Sequence, residues 1–260
     1  MRKVCSVLSF VICCLLIVAM PVYGQAQTNL SIAAASDLYK VLEEIKTVFE
    51  DKHPDISLQL SFGASGSLTA QIQQGAPFDV FLSADEDLPA KLYKAGFSDV
   101  SGPFLYTIGN LTLWIRKDLK LSLERDGWKA LLNPSVAKIS IANPKVAPYG
   151  KAAENALHRA GIYDQVRPKL VFADNIAQAA QFLYAGAAEA GIISPSQANN
   201  AVLRRDGFVW TLPVHSYPSI RQAGIIIKNS NYMRQAKIFQ SFLISKEGQL
   251  VFARHGFGKV

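Results

Sequence analysis

The chain has 260 residues, of which 50% are hydrophobic and 18% are charged, and its formal net charge is +7. This length supports one large domain or two lobes of ordinary size, each with its own core. No low-complexity tract is present, so the composition excludes disordered and fibrous proteins.

Residues 1–26 contain the only apolar run near membrane-spanning length. A basic start precedes an apolar stretch over 4–20, and small residues at Gly24 and Ala26 suit cleavage after either one. We therefore predict a cleavable export signal and a periplasmic mature protein. The alternative is a retained single-span anchor, for which the apolar stretch is short.

All three cysteines lie inside this segment, at Cys5, Cys13 and Cys14, so we expect a mature chain without cysteine. This excludes disulfides, thiolate catalysis and thiolate metal sites. Removal of Arg2 and Lys3 with the signal lowers the net charge to +5. Since the other basic residues are spread along the chain, we expect no nucleic-acid partner.

The first hundred residues predict strands and helices in alternation. Apolar patterns predict strands over 29–35, 56–62 and 78–82, with a helix after each. The apolar residues of the first helix repeat at helical spacing, at Leu38, Val41, Leu42, Ile45 and Phe49. This order is typical of a parallel sheet with helices on both faces.

Two long apolar segments, Phe104–Ile115 and Ile220–Lys228, predict strands that run from one lobe into the other. The alternation of strands and helices continues between them, and 231–255 predicts two helices that return to the first lobe. We predict an α/β fold of two lobes joined by two hinge crossings, each lobe a mostly parallel sheet flanked by helices. The predicted boundaries are 27–106 with 226–260 for the first lobe and 107–225 for the second. A cleft between such lobes is where a ligand is expected.

Serines occupy two predicted strand-to-helix junctions of the first lobe. Ser36 follows the first strand, and Ser65 lies in the small-residue loop 63–67. Each hydroxyl could simply cap a helix. The other interpretation is that both hydroxyls, with the free amides at the positive ends of two helices, hold one anion. The occurrence of two such loops in one lobe favours the anion.

The second lobe presents two further helix starts. Tyr149 follows Pro148 at one of them, where the first turn leaves backbone amides free, and Asn175-Ile176 opens the other. An N-cap role for Asn175 stays open. Four helix starts that converge on one cleft predict a site of neutral donors for a fully ionised tetrahedral anion.

An exported hydrolase is the competing class. The loop Gly63-x-Ser65-x-Ser67 lacks one glycine of a nucleophile elbow, and Ser135-x-x-Lys138 lacks the companion motifs of penicillin-recognising enzymes. The histidines lack the spacing of a metal site and lie at His53, His158, His215 and His255. We therefore predict a binding protein that is not an enzyme and has no cofactor.

Four runs of residues resemble the periplasmic molybdate-binding proteins of molybdate ABC transporters. The runs are Ala33–Ser36, Phe62–Leu68, Gln74–Asp85 and Ala147–Gly150. The most specific piece is Gly-Ala-Pro-Phe-Asp-Val-Phe-Leu-Ser-Ala-Asp within the third run. The resemblance extends over the whole mature chain and implies a two-lobed type II periplasmic binding protein fold.

The resemblance also implies which residues hold the oxyanion. The serine hydroxyls of the family fall on Ser36 and Ser65, and its backbone amides fall on Tyr149 and Ile176. Many members carry a further tyrosine where this chain has Ser194. The chain resembles the subgroup with a tyrosine in the Ala-Pro-Tyr-Gly turn, which leaves open whether that tyrosine donates its hydroxyl or only its amide. The weaker candidates are Asn175 and Ser194.

The implied function is an exported, monomeric receptor that binds molybdate or tungstate and delivers it to an inner-membrane ABC permease. Molybdenum is expected only as bound molybdate, held through its oxygens. A size-matched cage should separate this pair from the smaller sulfate but hardly from each other. A type II receptor for sulfate or phosphate remains the alternative among binding proteins.

Overall fold

The computed structural model describes residues 27–99 and 101–260. The predicted export signal over 1–26 lies outside the described residues. The described chain forms two five-stranded sheets with helices packed against them. None of the helices in these ranges combines the length and apolar character needed to cross a bilayer.

The described chain passes from one sheet to the other twice. In chain order they are β1 (Thr28–Ala35), β2 (Ile56–Gly63), β3 (Val80–Ser83), β4 (Phe104–Gly109), β5 (Thr112–Arg116), β6 (Ile139–Ala142), β7 (Leu170–Ala173), β8 (Ala190–Ile193), β9 (Gly207–Thr211) and β10 (Ile220–Ile226). The first sheet has the order β2-β1-β3-β10-β4, and the second has the order β7-β6-β8-β5-β9. We call these sheets, with their helices, the first and the second lobe.

The α-helices fall into a first-lobe set and a second-lobe set. Those of the first lobe are α1 (Tyr39–Lys52), α2 (Ser65–Gln73), α3 (Asp87–Lys94), α10 (Met233–Ile244) and α11 (Lys246–Arg254). Those of the second lobe are α4 (Leu123–Asp126), α5 (Pro148–Arg159), α6 (Tyr163–Val166), α7 (Ile176–Tyr184), α8 (Pro195–Ala198) and α9 (Ala201–Asp206). Short 3-10 turns complete the chain, and the one over Ser36–Leu38 joins β1 to α1.

The first sheet is buried on both faces, as the continuous apolar run of β1 predicts. Ile32 and Ala34 belong to the core beneath α1, while Ala33 packs on the opposite face with Leu68 of α2. The predicted apolar stripe of α1 is fully buried. The predicted α/β class is thus confirmed, with helices on both faces of the first sheet.

Both sheets are mixed, whereas the sequence predicted mostly parallel sheets. In the first sheet β1 is parallel to β2 and β3, but β10 is antiparallel to β3 and β4. In the second sheet β6 is parallel to β7 and β8, but β5 is antiparallel to β8 and β9. The strands that follow the two crossings, β5 and β10, therefore insert against the direction of their neighbours.

The segment predicted as one long strand over 104–115 is two strands in different sheets. Between them, the Asn110 side chain donates to the Gly256 carbonyl at 3.0 Å, and the Leu111 amide donates to the Tyr217 hydroxyl at 3.1 Å. These bonds replace strand pairing at the crossing, so the ladder ends at Gly109.

The predicted lobe boundaries fall inside strands of the first sheet. The boundary at 106/107 cuts β4, and the boundary at 225/226 cuts β10. Because the chain leaves the first sheet after Gly109 and returns at Ile220, we propose that the first lobe comprises 27–109 with 220–260. The second lobe then comprises 112–211.

Strand register brings the predicted helix starts to one edge of each sheet. Ala35 at the end of β1 is paired with Gly63 at the end of β2, and Ala142 of β6 is paired with Ala173 of β7. The connections that follow these parallel strands therefore emerge side by side. They face each other across the gap between the lobes.

Candidate functional site: a cavity between the two lobes

A small cavity lies where these connections meet. The first lobe contributes Ser36 and Ser65, and the second lobe contributes Tyr149, Asn175 and Ile176. The structure therefore brings together five of the six predicted site residues. The lining contains Asp37 but no Lys or Arg, so an anion here would be held by hydroxyls, backbone amides and helix dipoles.

Neither serine caps its helix. The N-cap positions are Ala35 and Ala64, and no side chain makes a capping hydrogen bond at either start. Ser36 and Ser65 are 4% and 1% exposed. The capping interpretation is thus wrong for both residues. Both residues line the cavity, where their hydroxyls could bind a ligand.

The orientation of Ser65 is fixed by its neighbour across the sheet edge. Its Oγ accepts a hydrogen bond from the Ala84 amide at 3.0 Å. A hydroxyl has one hydrogen to donate and can accept at the same time. The bond to Ala84 therefore leaves the Ser65 hydrogen available to an acceptor in the cavity.

Tyr149 presents its two polar groups in different directions. Its amide belongs to the first turn of α5, where Pro148 at the start has no N–H and the following amides lack acceptors within the helix. Its hydroxyl accepts from the Gln222 side chain at 3.2 Å. Burial, and the nearby Asp37 carboxylate, raise the pKa of the Tyr149 hydroxyl well above its usual value.

Asn175 is the N-cap of α7. Its Oδ1 accepts from the amides of Ala177 and Gln178, both at 3.0 Å. The capping interpretation is therefore correct for Asn175, and its side-chain oxygen is occupied. The amide of Ile176, at the first position of the helix, is the donor that this cap does not use.

Comparison with known proteins agrees with this geometry. The family of bacterial extracellular solute-binding proteins matches residues 30–258. The chain belongs to this family. It is 35% identical to the molybdate-binding protein ModA of Azotobacter vinelandii over 88% of this chain and 90% of that protein. It is 32% identical to ModA of Rhodobacter capsulatus over 86% of each chain.

A solved structure extends the agreement to the whole architecture. The periplasmic molybdate-binding protein of Azotobacter vinelandii superposes with a TM-score of 0.80 at 31% identity, over 88% of this chain and 98% of that one. The resemblance drawn from the sequence and the predicted type II two-lobed fold are both confirmed.

Ser194, the sixth candidate, does not line the cavity of this solute-binding protein. It is fully buried, caps α8, and lies 3.0 Å from Ser196 Oγ. Ser196 in turn donates to the Asp37 carbonyl at 2.9 Å, and Gln197 Nε2 donates to the Ser36 carbonyl at 3.1 Å. This segment of the second lobe thus forms hydrogen bonds to the backbone carbonyls of Ser36 and Asp37.

Two buried side chains at the site escaped the sequence analysis. Asp37 is fully buried, and its Oδ2 accepts from Gln222 Nε2 at 2.7 Å. Gln222 Oε1 accepts from the Tyr106 hydroxyl at 2.9 Å. Burial raises the pKa of Asp37 to about 6, although Gln222 and Tyr149 oppose the rise. A polar residue within the apolar strand β10 was the available signal.

Apart from the loop 63–67, which lines the cavity, the motifs considered for an enzyme lie away from it. Ser135 bonds to Asn133 Oδ1 in an exposed turn, and the Lys138 amide bonds to Glu189. His158 stacks on Tyr163, and His255 pairs with Glu44. Across 27–99 and 101–260, no cluster of His, Cys, Asp and Glu could hold a metal ion.

Proposed function

We propose that this protein is an exported receptor that captures molybdate in the interlobe cavity. The observation that carries the proposal is the convergence of hydroxyls and first-turn amides from both lobes on a cavity whose lining has no basic side chain. The hydroxyls belong to Ser36 and Ser65, and the amides belong to Tyr149 and Ile176.

Such a donor set suits a fully ionised tetrahedral oxyanion. Each helix start offers orphan N–H groups and the positive end of a dipole, which is a common arrangement around bound anions. A hydrogen bond to a charged group contributes roughly 1.5 to 3 kcal/mol. Several such bonds can offset the cost of association and give micromolar or tighter binding.

The relatives support the choice of anion. The ModA proteins of Azotobacter vinelandii and Rhodobacter capsulatus are molybdate-binding, and their similarity to this chain extends over most of its length. These relatives are solute-binding proteins and not enzymes. We propose binding without catalysis here as well, and no cofactor beyond the transported anion.

Three further features belong to the proposal. Tungstate has nearly the size and charge of molybdate, so we propose that it occupies the same cavity. We also propose that the loaded protein acts as a monomer in the periplasm, after cleavage of the signal over 1–26. Its partner is then an inner-membrane ABC permease, because an extracellular receptor needs one to move its anion inward.

Isothermal calorimetry of the purified protein with molybdate, tungstate, sulfate and phosphate tests the proposal. We expect micromolar or tighter binding of molybdate and tungstate, and sulfate at least tenfold weaker because of cavity size. Absence of binding heat with both metal oxyanions would refute the function. A sulfate or phosphate affinity above that of molybdate would instead support a receptor for that anion.

A further inference from the structure

Asp37 lies next to Ser36 at the cavity and is an unusual neighbour for an anion. Its side chain is fully buried, and the residue is part of the lining of the same cavity. Gln222 donates to Oδ2, and the Tyr149 hydroxyl also stabilises the carboxylate as a hydrogen-bond donor and lowers its pKa, but within 27–99 and 101–260 Oδ1 itself has no hydrogen-bond partner. A buried carboxylate oxygen without a partner carries a large desolvation cost. An unsatisfied oxygen at a ligand cavity points to a role with the ligand.

Among the residues that the structure describes, no basic side chain bonds to this carboxyl. From the elements packed around it, Gln222 of β10, Tyr106 of β4 and Tyr149 of α5 face it, and from α8 come the neutral Ser196 and Gln197. Lys40, one turn further along the chain, has its pKa lowered by desolvation alone. The charge of Asp85 raises the pKa of Tyr106 but does not contribute to the shifted pKa of Asp37. The surroundings of Asp37 are thus neutral or potentially negative.

We propose, resting on the oxyanion-binding function above, that Asp37 is a further anion-binding residue whose carboxyl is protonated in the loaded protein and donates through Oδ1 to an oxyanion oxygen. Two negative charges cannot share a dry cavity without a cation. One proton taken from solvent on binding removes the conflict: the carboxylate becomes a carboxylic acid, and the anion keeps its charge of two. Oδ1 of Asp37 then carries a hydrogen that it can donate to an oxygen of the anion.

This protonation makes the affinity for molybdate fall as the pH rises. Before the anion enters, burial holds the pKa of Asp37 at about 6, and the adjacent dianion raises it further. At pH 6 about half of the carboxyl groups are protonated, and well below pH 6 the carboxyl is neutral and affinity hardly changes with pH. Above about pH 7, each molybdate bound takes up close to one proton, and the dissociation constant rises by up to about tenfold per pH unit.

Calorimetry with molybdate from about pH 6.5 to about pH 8.5, in buffers of different ionisation enthalpy, counts the protons taken up. Over this range molybdate itself stays a dianion. We expect uptake that approaches one proton per anion at the upper end. Asp37→Asn, whose amide donates without titrating, should bind molybdate with no proton uptake and with affinity independent of pH. The matched control Asp85→Asn should retain the pH dependence.

Three results would overturn the inference. One is tight binding of molybdate without proton uptake by the unmodified protein. Another is loss of molybdate binding by a folded Asp37→Asn protein at every pH. The third is preferential binding of hydrogen phosphate that Asp37→Asn abolishes, because the carboxylate would then accept a proton from the anion. Absence of molybdate binding by the unmodified protein at any pH refutes the proposed function itself, so the two failures are distinguishable.

Discussion

The side-chain amide of Gln197 donates to the backbone carbonyl of Ser36 at 3.1 Å, across the interface between the two lobes. Ser36 is a proposed anion-binding residue of the first lobe, whereas Gln197 belongs to α8 of the second. The second lobe therefore holds the anion-binding turn by its backbone. It acts there without reaching into the cavity.

Loss of this bond should speed release of the anion. Gln197→Ala removes this donor and leaves the Ser36 carbonyl with only the bond from the Tyr39 amide, which weakens the contact between the lobes by roughly 0.5 to 1.5 kcal/mol. We propose that the anion enters before the lobes close over it, so we expect the molybdate dissociation rate to rise by about twofold to tenfold while the association rate stays unchanged. Stopped-flow tryptophan fluorescence measures both rates.

A matched control for Gln197 is Asn200→Ala in the same segment. Asn200 caps α9 through a bond to the Val202 amide and makes no bond to the first lobe. It should lower thermal stability with little effect on either rate. A slower association with unchanged dissociation in Gln197→Ala would contradict a role in closure.

Sequence reasoning located the helix starts around the cavity because they depend on local patterns. The strand that ends at Ala35 and the small-residue loop before Ser65 are visible in a single sequence, and parallel strands bring their ends to one edge. The pairing of Gln222 with Asp37 spans 185 positions of the chain. No local periodicity encodes such a contact, so it appears only in the folded structure.

Two errors in the predicted fold have different causes. The prediction of one strand over 104–115 overlooks Gly109-Asn110, which interrupts the apolar residues, and bonds from Asn110 and Leu111 to Gly256 and Tyr217 hold the break. Strand direction in the sheets is set by where the chain re-enters each sheet. Local composition carries no information on strand direction.

Close contact between the lobes gives a second prediction. Gly66 at the start of α2 donates its amide to the Val146 carbonyl at 3.0 Å across the interface, and a Cβ at Gly66 would lie 2.8 Å from that oxygen. Gly66→Ala should therefore hinder closure and weaken molybdate binding at least tenfold. Calorimetry measures the affinity, and the ligand-free melting temperature should hardly change.

Ser67→Ala, one position further in the same helix, is the control for Gly66. Ser67 is exposed, so we expect normal affinity. A fall in ligand-free stability as large as the loss of binding energy in Gly66→Ala would show that the glycine is needed for folding and not for closure.

Tyr149→Phe separates the hydroxyl of this residue from its amide. If the amide binds the anion and the hydroxyl acts only through its contacts with Gln222 and Asp37, removal of the hydroxyl costs roughly 0.5 to 1.5 kcal/mol of binding. The effect should then be non-additive with that of Gln222→Leu in a double-mutant cycle, because both changes remove the Tyr149–Gln222 bond. Gln222→Leu alone should cost more, since it also removes the bonds to Asp37 and Tyr106. Additive losses would assign the hydroxyl directly to the anion.

Asn175→Ala should affect stability more than binding. Its Oδ1 is held by two amides of α7, so the substitution removes a cap worth roughly 0.5 to 2 kcal/mol of folding free energy. We expect a lower melting temperature and a molybdate affinity within a few fold of normal. Urea unfolding with and without molybdate separates the two quantities, and a large loss of affinity at unchanged stability would make Asn175 a ligand.

The two serines should behave in the opposite way. Each donates one hydroxyl hydrogen to the buried dianion under the proposed function, so Ser36→Ala and Ser65→Ala should each weaken molybdate binding by roughly 1.5 to 3 kcal/mol. Ser36 makes no capping bond, and its loss should leave the melting temperature unchanged. Ser65→Ala also leaves the buried Ala84 amide without its acceptor, so it should lower the melting temperature as well.

Ser194→Ala is the control for both serines, since Ser194 bonds to Ser196 and lies off the cavity lining. If Ser194→Ala abolishes binding while both serine variants bind normally, the assignment of the anion to Ser36 and Ser65 is wrong.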